Sequence, residues 1–263
     1  MAGAPRMIPP PSRELRARRI DDGIGRDQVE TLAEETAVAL VYNGQPHAVM
    51  MATPADLDDF ALGFSLTEAI VAVPEELAVV DRLVTAHGIS LQMHIPQARF
   101  DALEQRGRSL TGRTGCGLCG TDRLEAAIRP VRPVPRSGLD PTRLAPYFAA
   151  LQEQQPLNLR TGAVHAAAVV DADGELHVRE DIGRHNAIDK AVGAARRAGA
   201  TPVALLVTSR ASYEVVHKAA EAGIGLVAAI SAPTALAVRL ADEADMVLVG
   251  FARGSRCTIY AGR

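Results

Sequence analysis

Apolar residues along the chain fall into short runs of strand length and longer stretches with helical spacing. From Thr36 the run Ala37-Val38-Ala39-Leu40-Val41-Tyr42 predicts a strand. Asn43-Gly44 is the strongest short hairpin signal, and Val49-Met50-Met51 supplies the returning strand. Leu57, Phe60, Ala61 and Phe64 then recur at helical spacing. Thr53-Pro54 is the expected cap, and Asp56, Asp58 and Asp59 suit the positive end of the helix dipole. Val79–Thr85 and Ile89–Ile95 pair around Gly88, so residues 29–106 read as a small α+β unit.

Farther along, strands and helices alternate. Val164–Val170 and Leu176–Arg179 flank the turn Asp171-Ala172-Asp173-Gly174, and a helix over Asn186–Gly199 ends in glycine. Strands at Val203–Thr208, Gly225–Ile230 and Met246–Phe251 enclose helices at Ser212–Gly223 and Pro233–Ala244. Apolar strands joined by crossover helices predict a mostly parallel sheet covered on both faces, so residues 138–263 read as a three-layer α/β/α domain.

Two segments break this pattern. Residues 107–121, with RSLTGRTGCGLCGT at their heart, carry Gly, Thr and Arg without an apolar period, which predicts an exposed, mobile loop. Arg129-Pro130-Val131-Arg132-Pro133-Val134-Pro135 favours an extended linker. Loop and linker together, residues 107–137, mark the domain boundary. At the start, Pro9, Pro10 and Pro11 forbid a helix and no apolar core of a signal peptide follows, so residues 1–28 read as a flexible tail bearing Arg13, Arg16, Arg18 and Arg19.

Composition narrows the function classes. The chain has 263 residues, 48% hydrophobic and 22% charged, enough to bury a full core. Its 28 basic and 31 acidic residues leave a net charge of −3, which excludes a global basic field for duplex nucleic acid. Aromatics at 3% argue against a base-stacking platform for single strands. No apolar run approaches the length of a membrane span. Cys116, Cys119 and Cys257 are too few for a disulfide framework, which fits a reducing cytoplasm, and Cys257 is expected to pack as a small core residue of the last strand.

The remaining motifs carry chemistry. Cys116-Gly117-Leu118-Cys119 could be half a zinc site, a dithiol redox pair, two buried thiols, or a nucleophile with a helper. No second CxxC or close His pair completes a zinc site. Arg108 and Arg113 nearby in sequence would lower a thiol pKa, and flanking glycines would let the sulfur swing toward large partners. The run Arg179-Glu180-Asp181-Ile182-Gly183-Arg184-His185-Asn186 crowds polar groups where a strand meets a helix. Capping accounts for one or two of them, and Arg184 and His185 are left as ligand or catalytic candidates. His165 opens the preceding strand, either as a satisfied strand residue or as a further candidate. Three loops, Ser209-Arg210-Ala211-Ser212, Ser231-Ala232-Pro233-Thr234 and Ala252-Arg253-Gly254-Ser255-Arg256, each follow the carboxyl end of a strand. Open α/β sheets bind ligands at that end, and arginines beside free helix amides point to a phosphate-bearing ligand of nucleotide type.

TGCGLCG, TGAVHAAAVVD, EDIGRHNAIDK, SRASYEVVHKAAEAG, SAPTALAV and VGFARGSRCTIY, in this order, resemble the FdhD family of formate dehydrogenase accessory sulfurtransferases over about residues 30–263. The resemblance implies a C-terminal domain similar to the cytidine deaminase fold and a homodimer. It also implies a sulfur carrier between a cysteine desulfurase and the molybdenum bis(molybdopterin guanine dinucleotide) cofactor of formate dehydrogenase, handled as a bound substrate that a guanine nucleotide would mimic. By the same resemblance Cys116 matches the persulfide-bearing cysteine and Cys119 its companion. Phe251, Ala252, Arg253, Gly254, Ser255 and Arg256 match the cofactor-binding stretch, and Ser209, Arg210, Ser231, Arg184 and His185 are expected to complete that site. Deamination does not follow, because the CxxC precedes the domain and no HxE lies near His185. A cofactor-holding chaperone without sulfur transfer and a zinc protein are the rival readings; neither nucleic acid nor membrane is an expected partner.

Overall fold

The computed structural model describes residues 7–108 and 129–262, with main chain alone at 107 and 108. Among them the strands form three sheets. β1 (Ser12–Asp21) and β2 (Ile24–Ala33) make an antiparallel two-stranded ribbon whose side chains are mostly exposed. This corrects the expected flexible tail. The run lacks apolar alternation because charges sit on both faces, but Asp22-Gly23, both with positive φ (50° and 82°), is a hairpin signal that could have revealed it.

β3 (Thr36–Tyr42) and β4 (Gln45–Ala52) form the expected hairpin, and β5 (Ala78–Val84) pairs with β6 (Ile89–His94). β6 also runs parallel to β3, closing a four-stranded sheet in the order β4-β3-β6-β5. Between the two hairpins lies α1 (Leu57–Thr67), and α2 (Gln97–Arg108) follows β6. α1 starts later than expected. Asp56, in the left-handed region at φ 53°, holds the N-cap position without a side-chain cap. Thr53 is therefore not its cap and is used elsewhere.

The C-terminal unit begins with α3 (Ala145–Glu153) and α4 (Pro156–Thr161). Its sheet has the order β12-β11-β10-β9-β7-β8, built from β7 (His165–Asp171), β8 (Leu176–Asp181), β9 (Pro202–Val207), β10 (Leu226–Ala229), β11 (Val247–Arg253) and β12 (Arg256–Ala261). Only β9, β10 and β11 are parallel neighbours, so the sheet is mixed rather than mostly parallel. The cause is local. The tight connections β7–β8 and β11–β12 force antiparallel pairs, and α5 (Arg184–Arg197) carries the chain from β8 across β7 to β9.

Strand alternation divides two apolar faces. Ala167, Val169, Leu205, Val207, Val227 and Ala229 face α5, α6 (Tyr213–Glu221) and α7 (Ala235–Glu243), whereas Ala168, Leu206, Leu226 and Ala228 face Phe148 and Leu151 of α3. The result is three layers, with the crossover helices together on one side. The larger core also contains Leu40, Tyr42, Phe60, Phe64 and Leu91, so it continues across the proline-rich segment into the N-terminal sheet. Cys257 is exposed on β12, not packed in the core. β12 is an edge strand, and Arg256, Cys257 and Thr258 at its start are all exposed.

Candidate functional site

The carboxyl ends of β9, β10 and β11 lie side by side, and antiparallel β7 begins at the same edge with His165. The three loops leaving this edge are tied together. Ala211 and Pro233 form a parallel bridge, and Thr234 N donates to Ala211 O at 3.0 Å. Phe251 N donates to Ser231 O at 3.1 Å, and Arg253 Nε to Ile230 O at 3.0 Å. The structure therefore brings together Ser209, Arg210, Ser231 and the stretch from Phe251 to Arg256. Arg210, Arg253, Gly254, Ser255 and Arg256 are exposed; Ser231 is half-buried; Ser209 and Ala252 are buried. Their solvent-facing guanidinium groups form a local basic rim on an otherwise weakly acidic chain.

Phe251 stands out within the rim. The register of β11 against β12 shifts between Gly250 and Arg253, and Phe251 sits in that bulge with φ 51°. A bulky residue in the left-handed region is strained, and such strain persists only where surrounding contacts impose it. The residue is 44% exposed.

Between this edge and α3–α4 opens a cleft of about 550 Å³, lined among others by Gln152, Gln155, Asn158, His165, Thr208 and Arg253. The cleft's second wall was not anticipated from sequence. Glu180 builds it: its carboxylate accepts Leu157 N at 2.9 Å and Asn158 N at 2.7 Å, fixing the start of α4 to the end of β8. Gln155 donates to Leu151 O at 2.9 Å and so bridges α3 to α4. The α3–α4 side of the cleft mixes apolar Phe148 and Leu151 with the neutral amides of Gln152, Gln155 and Asn158, which suits packing and hydrogen bonding to a neutral heterocycle or a sugar better than ion pairing.

On the opposite face of the sheet, Arg184 and His185 occupy the first turn of α5 and are half-buried. His185 Nε2 is buried without a hydrogen-bond partner among the described residues. Burial, reinforced by Arg184 and Lys218, pulls the His185 pKa down to about 4 against the opposing pull of Glu214 and Glu68, so the ring is neutral near pH 7. Glu214 is held below its ordinary value despite burial, first by the Ser212 hydroxyl, which donates to it at 2.6 Å. Burial and Arg184 also lower His165, which links the helix side of the edge to the cleft side.

Behind His185 runs a buried ionic network that sequence reasoning missed. Lys218 Nζ contacts Asp189 at 2.8 and 3.0 Å, Glu68 at 3.0 Å and Thr67 Oγ1 at 3.0 Å. Burial opposes the Lys218 charge, but Asp189 and Glu68 outweigh it and raise its pKa. Burial likewise opposes Glu68, yet Lys218 and Arg129 bring it down to about 2. Arg129 pairs with Glu68 at 3.0 Å, and its backbone N–H donates to Tyr213 Oη at 2.7 Å. Cys116 and Cys119, together with the glycines around them, lie outside the described residues.

Comparison with known proteins adds an independent line. The model of the FdhD/NarQ family matches residues 33–263. A protein of Xanthomonas campestris pv. campestris (strain B100) named sulfur carrier protein FdhD is 51% identical over 267 residues, covering 99% of this chain and 95% of that protein. A protein of the same name from Cupriavidus necator is 52% identical over 238 residues, covering 88% and 82%. Among solved structures, one from Desulfotalea psychrophila described as a formate dehydrogenase accessory protein superposes with a TM-score of 0.74 at 23% identity, covering 96% of this chain and 97% of that one, which supports the fold. No described helix is long and apolar enough to cross a membrane.

Proposed function

The chain belongs to the FdhD/NarQ family, and from that premise we propose that it is a sulfur carrier for the molybdenum bis(molybdopterin guanine dinucleotide) cofactor of formate dehydrogenase, acting in the cytoplasm as a homodimer. The observation that carries this reading is the convergence of three strand-end loops, with Arg210, Arg253 and Arg256 exposed, beside a cleft whose far side offers the amides of Gln152, Gln155 and Asn158. Phosphates of a dinucleotide suit the arginine rim through charge-assisted, bidentate contacts. A guanine base suits amide donors and acceptors such as Asn158 and Gln152.

The chemistry falls to the thiols. A cysteine desulfurase loads Cys116 as a persulfide. The Cys119 thiolate then attacks the inner sulfur; a new S–S bond joins the two cysteines, the sulfane S–S bond breaks, and the outer sulfur leaves with the electron pair as hydrosulfide. The sulfane sulfur is reduced, the cysteine pair is oxidised, and a dithiol reductant restores the pair. Sulfide released in this way is delivered to the molybdenum of the bound cofactor.

One experiment tests the transfer step. After incubation with a desulfurase and cysteine, peptide mass analysis should find the added sulfur on the Cys116 peptide, and Cys116→Ala should abolish formate dehydrogenase maturation with the fold intact. Maturation by Cys116→Ala at the wild-type level would overturn the carrier reading in favour of a chaperone that only holds the cofactor.

A further inference from the structure

One carboxylate wires the turn between β8 and α5 to the N-terminal unit. Asp181 is fully buried and accepts from four donors. Its Oδ1 takes Gly183 N at 2.8 Å and Asn186 Nδ2 at 2.9 Å; its Oδ2 takes Thr53 N at 2.9 Å and Lys190 Nζ at 2.7 Å. A carboxylate offers about four lone-pair sites, so this one is saturated. Thr53 completes the ring from the other side: its carbonyl accepts Lys190 Nζ at 2.8 Å and its Oγ1 accepts Ile182 N at 3.2 Å. Asn186 Nδ2 also donates to Met51 O at 2.8 Å. The end of β4 and the start of α5 are thus bonded through backbone, side chain and charge together.

Stability alone is a poor reason for this arrangement. Lys190 and Asp181 are both 0% exposed, and desolvating two such charges consumes most of their attraction, so a packed apolar pair would serve the core as well. What charge and hydrogen bonds add is direction. Gly183 is the N-cap residue of α5, and a Cβ there would lie 2.9 Å from Asn186 Nδ2, so the turn has no slack. The next two residues are Arg184 and His185.

We infer that Asp181 and Thr53 are positioning residues, through which the N-terminal unit fixes the first turn of α5 and so sets Arg184 and His185 for an anionic ligand at the carboxyl edge. The ligand half of this inference rests on the function proposed above. The geometric half stands on the contacts around Asp181.

The test uses the full chain and two readouts. Titration calorimetry with GDP measures ligand affinity, and NMR titration of the His185 ring, assigned by comparison with His185→Asn, measures the local setting without ligand. The groups acting on that ring are Arg184, Lys218, Glu214 and Glu68. In the double variant Asp181→Asn/Lys190→Met, GDP affinity is expected to fall at least about tenfold, and the His185 midpoint to move from about 4 toward its ordinary value of 6.5. Thr53→Val should shift both readouts in the same direction by less, and Thr53→Ser should restore them. If the double variant does not fold, the Thr53 pair decides alone. Folded variants with wild-type GDP affinity and an unmoved His185 titration overturn the positioning role. A wild-type protein that ignores GDP overturns the ligand reading instead, and the His185 titration still judges the positioning.

Discussion

A Cβ added to Gly63 would lie 2.9 Å from the backbone nitrogen of Gly193, and only 1.6 Å from the Asp189 carbonyl oxygen. α1 and α5 therefore cross main chain against main chain. The relationship is mutual, since a Cβ on Gly193 would lie 1.9 Å from the Asp59 carbonyl oxygen. Phe60 and Phe64 from one helix and Ile188 and Val192 from the other fill the core beside this crossing. The two halves of the chain share that core, and Asp181 and Thr53 lie along the same contact.

This crossing reverses an ordinary substitution effect. In an open helix interior Gly→Ala gains roughly 0.5–1 kcal/mol. Here Gly63→Ala and Gly193→Ala must push the helices apart, and overpacking of this kind costs about 1–3 kcal/mol or more. Urea denaturation should show a lower midpoint for each variant; a higher midpoint would mean that the helices separate freely.

Continuous apolar runs made the C-terminal strands legible, because both faces of that sheet are covered: Ala167 and Val169 or Leu205 and Val207 face one layer and their neighbours the other. Asn43-Gly44 revealed its hairpin because that turn requires positive φ, and Asn43 and Gly44 adopt 49° and 82°. Partners distant in sequence were not legible. The crowding in EDIGRHN showed that something polar happens there, but nothing in it names Thr53, 128 positions away, as the group that Asp181 holds. Phe251 carries no glycine or asparagine to announce a left-handed residue. The arginine loops were visible because strand ends fix their address, whereas the Glu180-held wall of the cleft follows from tertiary contact.

Buried histidines give stability a pH dependence with a defined window. His217 is 2% exposed, and burial with Arg129 beside it lowers its pKa from 6.5 to about 4. The ring is therefore neutral near pH 7, and its 3.7 Å approach to Glu221 is not an ion pair at that pH. Between those two values the unfolded chain binds more protons at His217 than the native one, so this group's contribution to stability is complete above 6.5 and falls as pH drops toward 4, whereas Asp189, raised to about 6 by burial, acts in the opposite sense. His185 acts in the same sense as His217. Glu68 acts lower, with stability present above 4.5 and lost as pH falls toward 2. Urea midpoints measured across the upper window should fall further with pH in the wild type than in His217→Gln; parallel pH profiles would remove His217 from the account.

Cys257 should behave as a surface thiol. Its Sγ lies 3.8 Å from Pro141 O, too weak a contact to matter energetically. Cys257→Ser is expected to change stability by less than about 0.5 kcal/mol. The native variant should also consume one equivalent less of an aromatic disulfide reagent than the wild type. Equal consumption would mean that the thiol is shielded.

Phe251 allows backbone strain and ring function to be separated. The bulge is held from several sides: Phe251 N bonds to Ser231 O at 3.1 Å, Ala252 is buried, and a Cβ on Gly250 would lie 2.7 Å from Pro233 Cδ and 2.9 Å from the Tyr260 ring. Neither Phe251→Ala nor Phe251→Gly keeps the ring, but only alanine keeps a Cβ in the left-handed region, which costs roughly 1–2 kcal/mol. Part of that difference is offset by the greater freedom of glycine in the unfolded chain, so Phe251→Gly should be more stable than Phe251→Ala by about 1 kcal/mol. A strained aromatic left 44% exposed at the ligand edge is retained for contact with the ligand under the proposed function. Both variants should then lose GDP affinity to the same degree, whatever their difference in stability, and Phe251→Trp should keep it. Wild-type GDP affinity in the more stable glycine variant would show that the ring has no part in binding, and that the bulge serves only to turn β11 toward β12.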